Sequence, residues 1–477
     1  MGALEMGAQR CAEDRIERDH LGEVSIPAGS LWGVNTYRAL ENFTAGSEKL
    51  GEYPILVAAL AAVKQAAAQT NADLKLLSPS VSSAIIGSCE EIRAGSHLDQ
   101  FPIEMLQGGA GTSTNMNVNE VIANLALIRL GAQPGEYHVV GPNEHVNLGQ
   151  STNDVYPAAL KLAVLEYGLA LIRGIQHLQA AFGRKAVQFA GQVKVGRTQL
   201  QDAVLMTLGQ EFGAYAESMR EEVTSMTRAL AGMREHHLGG TAIGTGVNAD
   251  PRYGELVTRH LRDITGVDTS TAPDLIEATQ DVGSFVTVSG ALKRVAIKLS
   301  KCCNDLRLLS SGPRAGLNEV TLPPRQAGSS IMPGKVNPVI PELVNQIAFD
   351  VVGADTTITL AAEAGQLQLN AFEPVIGYSL LKGLARVERG CVILADRCID
   401  GIEANSERLN LMVEASLAPA TLLSRVIGYR AAAEIAQHAL MTGSSVRDVA
   451  LDRAVLSSAE LDDVIGSAAL NNSTGIR

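Results

Sequence analysis

The chain has 477 residues, enough to bury a large core, and its 39 basic and 51 acidic residues give a formal charge of −12. That balance argues against nucleic acid as a partner, because phosphate recognition needs a basic face. Hydrophobic residues make up 46% of the chain but aromatics only 4%, with one tryptophan, a composition that favours helix-on-helix packing over sandwiches.

At the N-terminus, Glu5, Arg10, Glu13, Asp14 and Arg15 leave no apolar signal-peptide core. Met6 stands where a myristoylation motif needs Ser or Thr. The longest apolar run, 54–63, is too short to cross a bilayer. The cysteines (Cys11, Cys89, Cys302, Cys303, Cys391, Cys398) show no CxxC pair or metal-ligand spacing. A soluble protein of the reduced cytoplasm is expected.

Helical periodicity dominates from there on. Runs 58–71 and 80–95 predict shorter helices in an N-terminal, mostly helical segment, 1–150. Longer patterns at 155–190, 205–236, 277–311 and 341–369 predict the rods of a central bundle within 151–405; thirty helical residues span roughly 45 Å. Between 292 and 309 the apolar positions Leu292, Val295, Ala296, Leu299, Cys302, Cys303, Leu306 and Leu309 mark one buried face. Ser310-Ser311-Gly312-Pro313 then stops that helix.

The segment 312–341 carries four glycines and six prolines, so it is expected to be neither helix nor central strand and to act as a mobile loop. Several rods also carry polar residues on their inner stripe (Asn345, Gln346, Gln366, Gln368, Asn370), which contact with a second subunit would pair. Beyond about 401 the pattern shortens, with helix starts at Ser445 and Ser457, so 406–477 reads as a small helical C-terminal domain with a frayed end from Asn471.

Four separated segments are dense in hydroxyls, amides and glycines. They are Gly108-Gly109-Ala110-Gly111-Thr112-Ser113-Thr114-Asn115-Met116-Asn117, Asn147-Leu148-Gly149-Gln150-Ser151-Thr152-Asn153-Asp154, Lys194-Val195-Gly196-Arg197-Thr198-Gln199-Leu200-Gln201-Asp202 and Gly328-Ser329-Ser330-Ile331-Met332-Pro333-Gly334-Lys335-Val336-Asn337-Pro338. Singly, each is a turn with capping residues. Together they offer neutral donors for two carboxylates, one lysine and a loop to cover them. No Ser/His/Asp triad, zinc cluster or carboxylate pair competes. The stretch from Gly328 to Lys335 is not a phosphate loop, since its glycines are one residue too far apart and Val336 stands where Ser or Thr would bind magnesium.

These four segments, in this order, resemble the signatures of the aspartase/fumarase superfamily, and the similarity runs from Arg15 through about Gly401. Within it the chain resembles the aspartate ammonia-lyase branch more than the class II fumarases. Gln199 stands where fumarases usually have histidine, Thr152 follows the aspartase form of its segment, and Gly141 replaces the first histidine of the fumarase His-Pro-Asn-Asp-His. Gly334, where similar aspartases often have alanine, departs from the pattern.

The resemblance implies a mainly α, three-domain fold (1–150, 151–405, 406–477) whose central bundle forms a multi-helix core in a homotetramer, with each site shared between three subunits. It implies reversible elimination of ammonia from L-aspartate to give fumarate; class II fumarate hydratase is the alternative. By the family's assignments Ser329 takes the C3 proton, while Thr112, Ser151, Thr152 and Ser330 hold the β-carboxylate. Thr198, Lys335 and Asn337 hold the α-carboxylate, and Asn153, with Thr112 and Gln199, orients the amino group. No organic cofactor or resident metal is implied, and magnesium activation is left open.

Overall fold

The computed structural model describes residues 14–470. The sequence readings at Glu5, Met6, Arg10, Cys11 and Glu13, and at 471–477, fall outside these residues. Helices dominate. In chain order the main elements begin with β1 (Arg15–Asp19), β2 (Gly22–Ile26), α1 (Val34–Asn42), α2 (Pro54–Asp73), α3 (Pro79–Arg93), α4 (Thr112–Arg129) and α5 (Thr152–Gln188). There follow β3 (Val193–Thr198), β4 (Gln201–Thr207), α6 (Leu208–Ala229), β5 (Glu235–His236), α7 (Tyr253–Thr265), β6 (Ser270–Thr271), α8 (Leu275–Gln280) and α9 (Gly283–Leu309). The chain closes with β7 (Val320–Thr321), α10 (Val339–Glu363), α11 (Glu373–Arg397), β8 (Glu403–Ala404), α12 (Ser406–Ala415), α13 (Ala418–Ile427), α14 (Tyr429–Thr442), α15 (Val446–Asp452) and α16 (Ser458–Leu470). The strands form only two-stranded pairings.

Two compact units are each assembled from three stretches of chain. One comprises the chain up to Leu169 with Met226–Leu292 and Gly353–Ala385; the other comprises Ala170–Ser225, Lys293–Val352 and the chain from Arg386 onward. In the first unit the alanine-rich α2 packs against α3 and α7 and is buried on most of its faces. α1 has no side-chain cap of its own. Its N-terminus is capped from α4 instead: the carboxylate of Glu120, almost wholly buried, accepts the backbone N–H of Gly33 (2.8 Å), Asn35 (2.7 Å) and Thr36 (3.1 Å) and the Thr36 hydroxyl (2.7 Å). Glu120 thus satisfies three of the orphan backbone donors that a helix start leaves, and Glu17 accepts the fourth, the Val34 N–H (2.8 Å).

The core of the second unit includes a cluster of Phe182, Phe189, Phe212 and Tyr215, whose ring centroids lie 5.3 to 6.1 Å apart, three of the four ring pairs edge to face and the Phe182–Tyr215 pair tilted. Its C-terminal helices α13 to α16 close over a small core of Leu423, Ile435, Val446, Val449 and Leu461.

The face expected on α9 is buried at every one of its eight positions, Leu292 to Leu309. The five described cysteines are buried free thiols. Boundaries moved where local chemistry intervenes. The 205–236 pattern opens as the end of β4, and 277–311 is divided between α8 and α9 by Asp281, whose carboxylate accepts the Gly283 N–H (3.0 Å). Helix α10 starts at Val339, so the non-helical segment ends earlier than expected; Pro341 sits in its first turn, where a missing N–H costs nothing.

α11 was not predicted. Its glycines interrupt the pattern for a packing reason, since a Cβ on Gly377 would lie 2.8 Å from Leu160. The inner-stripe polar residues divide. Asn345 and Asn370 are buried and bonded inside the chain, Asn345 to Ser300 and Asn304 and Asn370 to the carbonyls of Ala361 and Ala362. Gln346, Gln366 and Gln368 are exposed.

α5 is long and apolar enough to cross a membrane, but 78% of its most apolar window is buried inside the protein, as befits a core helix. Glu120→Ala should lower the stability of the folded protein by about 2–4 kcal/mol, because it strands several buried donors at once. Chemical denaturation checks this; an unchanged midpoint would show that the cap is dispensable.

Candidate active site

Within the first unit the expected residues gather at two helix starts. Thr112 is the first residue of α4, and the three residues before it, Gly109, Ala110 and Gly111, all adopt left-handed φ (90°, 55° and 88°). Gly111 is required by space as well, since a Cβ there would lie 2.6 Å from the ring of Tyr156. The side-chain carbonyl of Gln107 accepts the Thr114 N–H (3.0 Å), so the helix is capped from outside and the Thr112 side chain stays exposed.

α5 begins at Thr152, and its entry turn is locked by Asp154, whose buried carboxylate accepts the N–H of Ser151 (3.0 Å), Gly239 (3.2 Å) and Thr241 (3.0 Å). Burial pushes the Asp154 carboxyl up to about 6 against these donors. The two helix starts are tied together by Asn115, whose amide donates to Thr152 Oγ1 (3.1 Å). Hydroxyls at two adjoining helix N-termini suit a carboxylate, each terminus contributing about 0.3–1 kcal/mol.

Asn153 is oriented for a different task. Its Nδ2 donates to the carbonyl of Ala242 (2.8 Å), which leaves Oδ1 as the group free to accept, as an ammonium requires. Its backbone carbonyl accepts from His237 Nε2 (2.8 Å). Burial pushes the imidazole of His237 down to about 4, so it holds this contact as a neutral ring.

Within the second unit, Thr198 ends β3 and Gln199 opens the two-residue turn to β4; Gln199 and Leu200 both have positive φ (53° and 63°). Hairpins of this type favour Asn-Gly, so two bulky residues here store strain of the sort found at functional sites. Thr198 and Gln199 are exposed. The hairpin is anchored to the start of the loop by Glu319, buried between Lys194 (2.8 Å) and Arg197.

The loop itself is a closed ring. Gly328 N–H donates to the carbonyl of Lys335 (2.7 Å), and Asn337 Nδ2 donates back to the Gly328 carbonyl (2.7 Å). Inside it the hydroxyl oxygen of Ser329 accepts the N–H of Ile331 (3.1 Å) and of Met332 (2.9 Å). Ser329 and Lys335 line one hollow of about 520 Å³ with Met332 and Pro324, while Ser330 and the loop tip are exposed. Asn337 therefore has a structural bond that its expected role did not include.

The sequence reading assigned no role to Lys64, His237 or Glu319, which lie outside the four motif segments and reach them through buried hydrogen bonds and ion pairs. No group of three or more His, Cys, Asp or Glu placed to hold a metal occurs among the described residues.

The family described as "Lyase" matches residues 22–353, and "Fumarase C C-terminus" matches 420–471. The chain belongs to this lyase family. Within it, the fold and motifs are those of the aspartase/fumarase superfamily. Aspartate ammonia-lyase of Escherichia coli K12 is 50% identical over 451 residues, 94% of each chain; that of Pseudomonas aeruginosa is 51% identical over 455 residues, 95% of this chain and 96% of the other. Among solved structures, the fumarate lyase:delta crystallin of Brucella melitensis superposes with a TM-score of 0.93 at 50% identity, covering 96% of this chain and 99% of that one. The class II fumarase of Schistosoma mansoni gives 0.90 at 33% identity, covering 96% and 100%.

Gly328→Ala should cut turnover at least tenfold with little change in melting temperature, because a Cβ there would lie 2.5 Å from the Lys335 carbonyl in an exposed loop. Steady-state kinetics beside a thermal melt checks this; normal turnover would mean the ring need not close.

Proposed function

We propose that the protein is an aspartate ammonia-lyase, interconverting L-aspartate with fumarate and ammonia. The observation that carries the reaction class is the seat of Ser329: a hydroxyl oxygen that already accepts two backbone amides. A serine can act as base only as its oxyanion, and each hydrogen bond to a charged acceptor contributes about 1.5–3 kcal/mol. The choice of substrate is supported by the aspartate ammonia-lyases at 50% and 51% identity, against 33% for the class II fumarase. Gln199 supports it too: a glutamine cannot take up a proton at neutral pH, as a water-activating histidine would.

In this reading Ser329 Oγ removes the C3 proton, and the electron pair moves into the β-carboxylate to form a doubly charged enediolate. Thr112, Ser151, Thr152 and Ser330 hold that carboxylate in both states, where neutral donors stabilise the developing charge. Collapse of the enediolate forms the C2–C3 double bond and expels the α-ammonium as neutral ammonia, and Ser329 then returns its proton to solvent. Lys335, Thr198 and Asn337 hold the α-carboxylate. Asn153 Oδ1, with Thr112 and Gln199, accepts from the ammonium. The reaction as drawn draws on no organic cofactor.

A homotetramer with sites shared between three subunits, and the partition into domains 1–150, 151–405 and 406–477, belong to the same proposal. An exposed stripe along α10 supports assembly: Gln346, Phe349, Gly353, Thr356 and Leu360 recur at helical spacing on one face, with Phe349 66% and Leu360 64% exposed. A soluble cytoplasmic setting fits the buried thiols.

Following fumarate absorbance after addition of L-aspartate, and separately of L-malate, tests the activity; fumarate from malate alone would replace this reading with fumarate hydratase. Ser329→Ala should keep aspartate affinity near normal and lower turnover by a factor of hundreds or more, about the effect of losing a catalytic proton-transfer group. Near-normal turnover would remove Ser329 as base. Lys335→Ala should mainly weaken aspartate and dicarboxylate binding; unchanged affinity would take it out of the site.

A further inference from the structure

A buried lysine lies under the turn that carries Ser151 and Thr152, and no step above uses it. Lys64, on α2, has no exposed surface. Its ammonium donates to Asn147 Oδ1 at 2.8 Å and to Gln150 Oε1 at 3.0 Å. Taking an ammonium out of water costs several kcal/mol, which an apolar residue at the same place would avoid.

The bonds around it converge on one turn. Asn147 Oδ1 also accepts from Asn115 (3.1 Å) and Asn119 (3.2 Å) on α4, and the same Asn115 amide reaches Thr152 Oγ1 (3.1 Å). Asn147 Nδ2 donates to the carbonyl of Gln150 (3.2 Å), and Gln150 Nε2 donates to the carbonyls of Val146 (2.9 Å) and Leu148 (3.2 Å). Two of the asparagines in this network, Asn115 and Asn119, leave a buried side-chain oxygen without a partner. Within this network Lys64 donates to both Asn147 Oδ1 and Gln150 Oε1, the residues that lead into the turn. Burial pushes the Lys64 amine down to about 7, against the opposing pull of the Asp154 charge; the Cys89 thiol beside it is pushed up to about 12 and stays neutral.

We propose that Lys64 is a positioning residue, whose terminal nitrogen holds Asn147 and Gln150 so that the Ser151–Thr152 turn is set to receive the substrate's carboxylate. This rests on the carboxylate role given above to Ser151 and Thr152. Lys64 touches no reacting atom; it acts through the turn.

The test is the inhibition constant of succinate, a four-carbon dicarboxylate with no amino group to lose, measured on the full-length enzyme with kcat for aspartate and a thermal melt. Ser151→Ala is expected to weaken succinate about tenfold, the loss of roughly 1.4 kcal/mol. Lys64→Met and Gln150→Met should each weaken it five- to twentyfold. The double variant Lys64→Met/Ser151→Ala should be no weaker than the more impaired of the two single variants, since residues acting through one another are non-additive.

Wild-type succinate binding in Lys64→Met and Gln150→Met, beside a weakened Ser151→Ala, would overturn this inference and leave the carboxylate reading intact. So would a double variant whose loss is the product of the two singles. Wild-type binding in Ser151→Ala would overturn the carboxylate reading and this inference with it. If Lys64→Met yields no folded protein, the partly exposed Gln150→Met decides by the same comparison.

Discussion

A hydroxyl becomes a useful base only where donors wait for its negative charge, and that is the constraint the proposed role of Ser329 places on the loop around residue 330. The ring closed by Gly328, Lys335 and Asn337 turns two amides, those of Ile331 and Met332, onto the oxygen of Ser329. Without the ring those amides would face water, which would compete for the same oxygen. Glycine at 328 lets the strands of the ring approach, and the prolines fix its arms. The loop's chemistry is therefore a property of its backbone, with the side chain of Asn337 as a clasp.

In the proposed reaction the other unit meets a complementary need. A carboxylate that becomes doubly charged needs donors that do not reorganise as charge develops. The starts of α4 and α5 supply hydroxyls, and a buried set of amides fixes them to each other through Asn115 and Asn147. Such a network is expensive unless its members are satisfied together, since partly paired polar groups in a dry interior lose more than apolar ones would gain. The buried lysine and aspartate at its edge, and the neutral His237 behind Asn153, are the parts of that arrangement that carry charge or could carry it.

Much of this was legible in the sequence. The buried stripe of α9 could be read because its spacing repeats without interruption, and the loop because glycine and proline exclude regular structure. The four motif segments announced themselves by composition, and they fall at the starts of α4 and α5, at a hairpin tip and in the loop. Other features could not be read. The β3–β4 hairpin turns on Gln199-Leu200 and offers no Asn-Gly signal. α4 buries Asn117, Asn119, Glu120 and Asn124 on a helix with no polar face, so hydrophobic periodicity gives no sign of it. Lys64, Glu120 and Glu319 make their decisive contacts with residues distant along the chain, and each looks like an ordinary surface charge until the fold brings its partners to it.

The most direct test of the central claim is a crystal structure of the enzyme with succinate bound. The account predicts Ser329 Oγ within about 3.5 Å of the methylene carbon that corresponds to C3 of aspartate, a near-attack distance, with the amides of Ile331 and Met332 still donating to it. A bound ligand with its carboxylates held at both ends, but with Ser329 turned away from that carbon or stripped of its two amide donors, would contradict it.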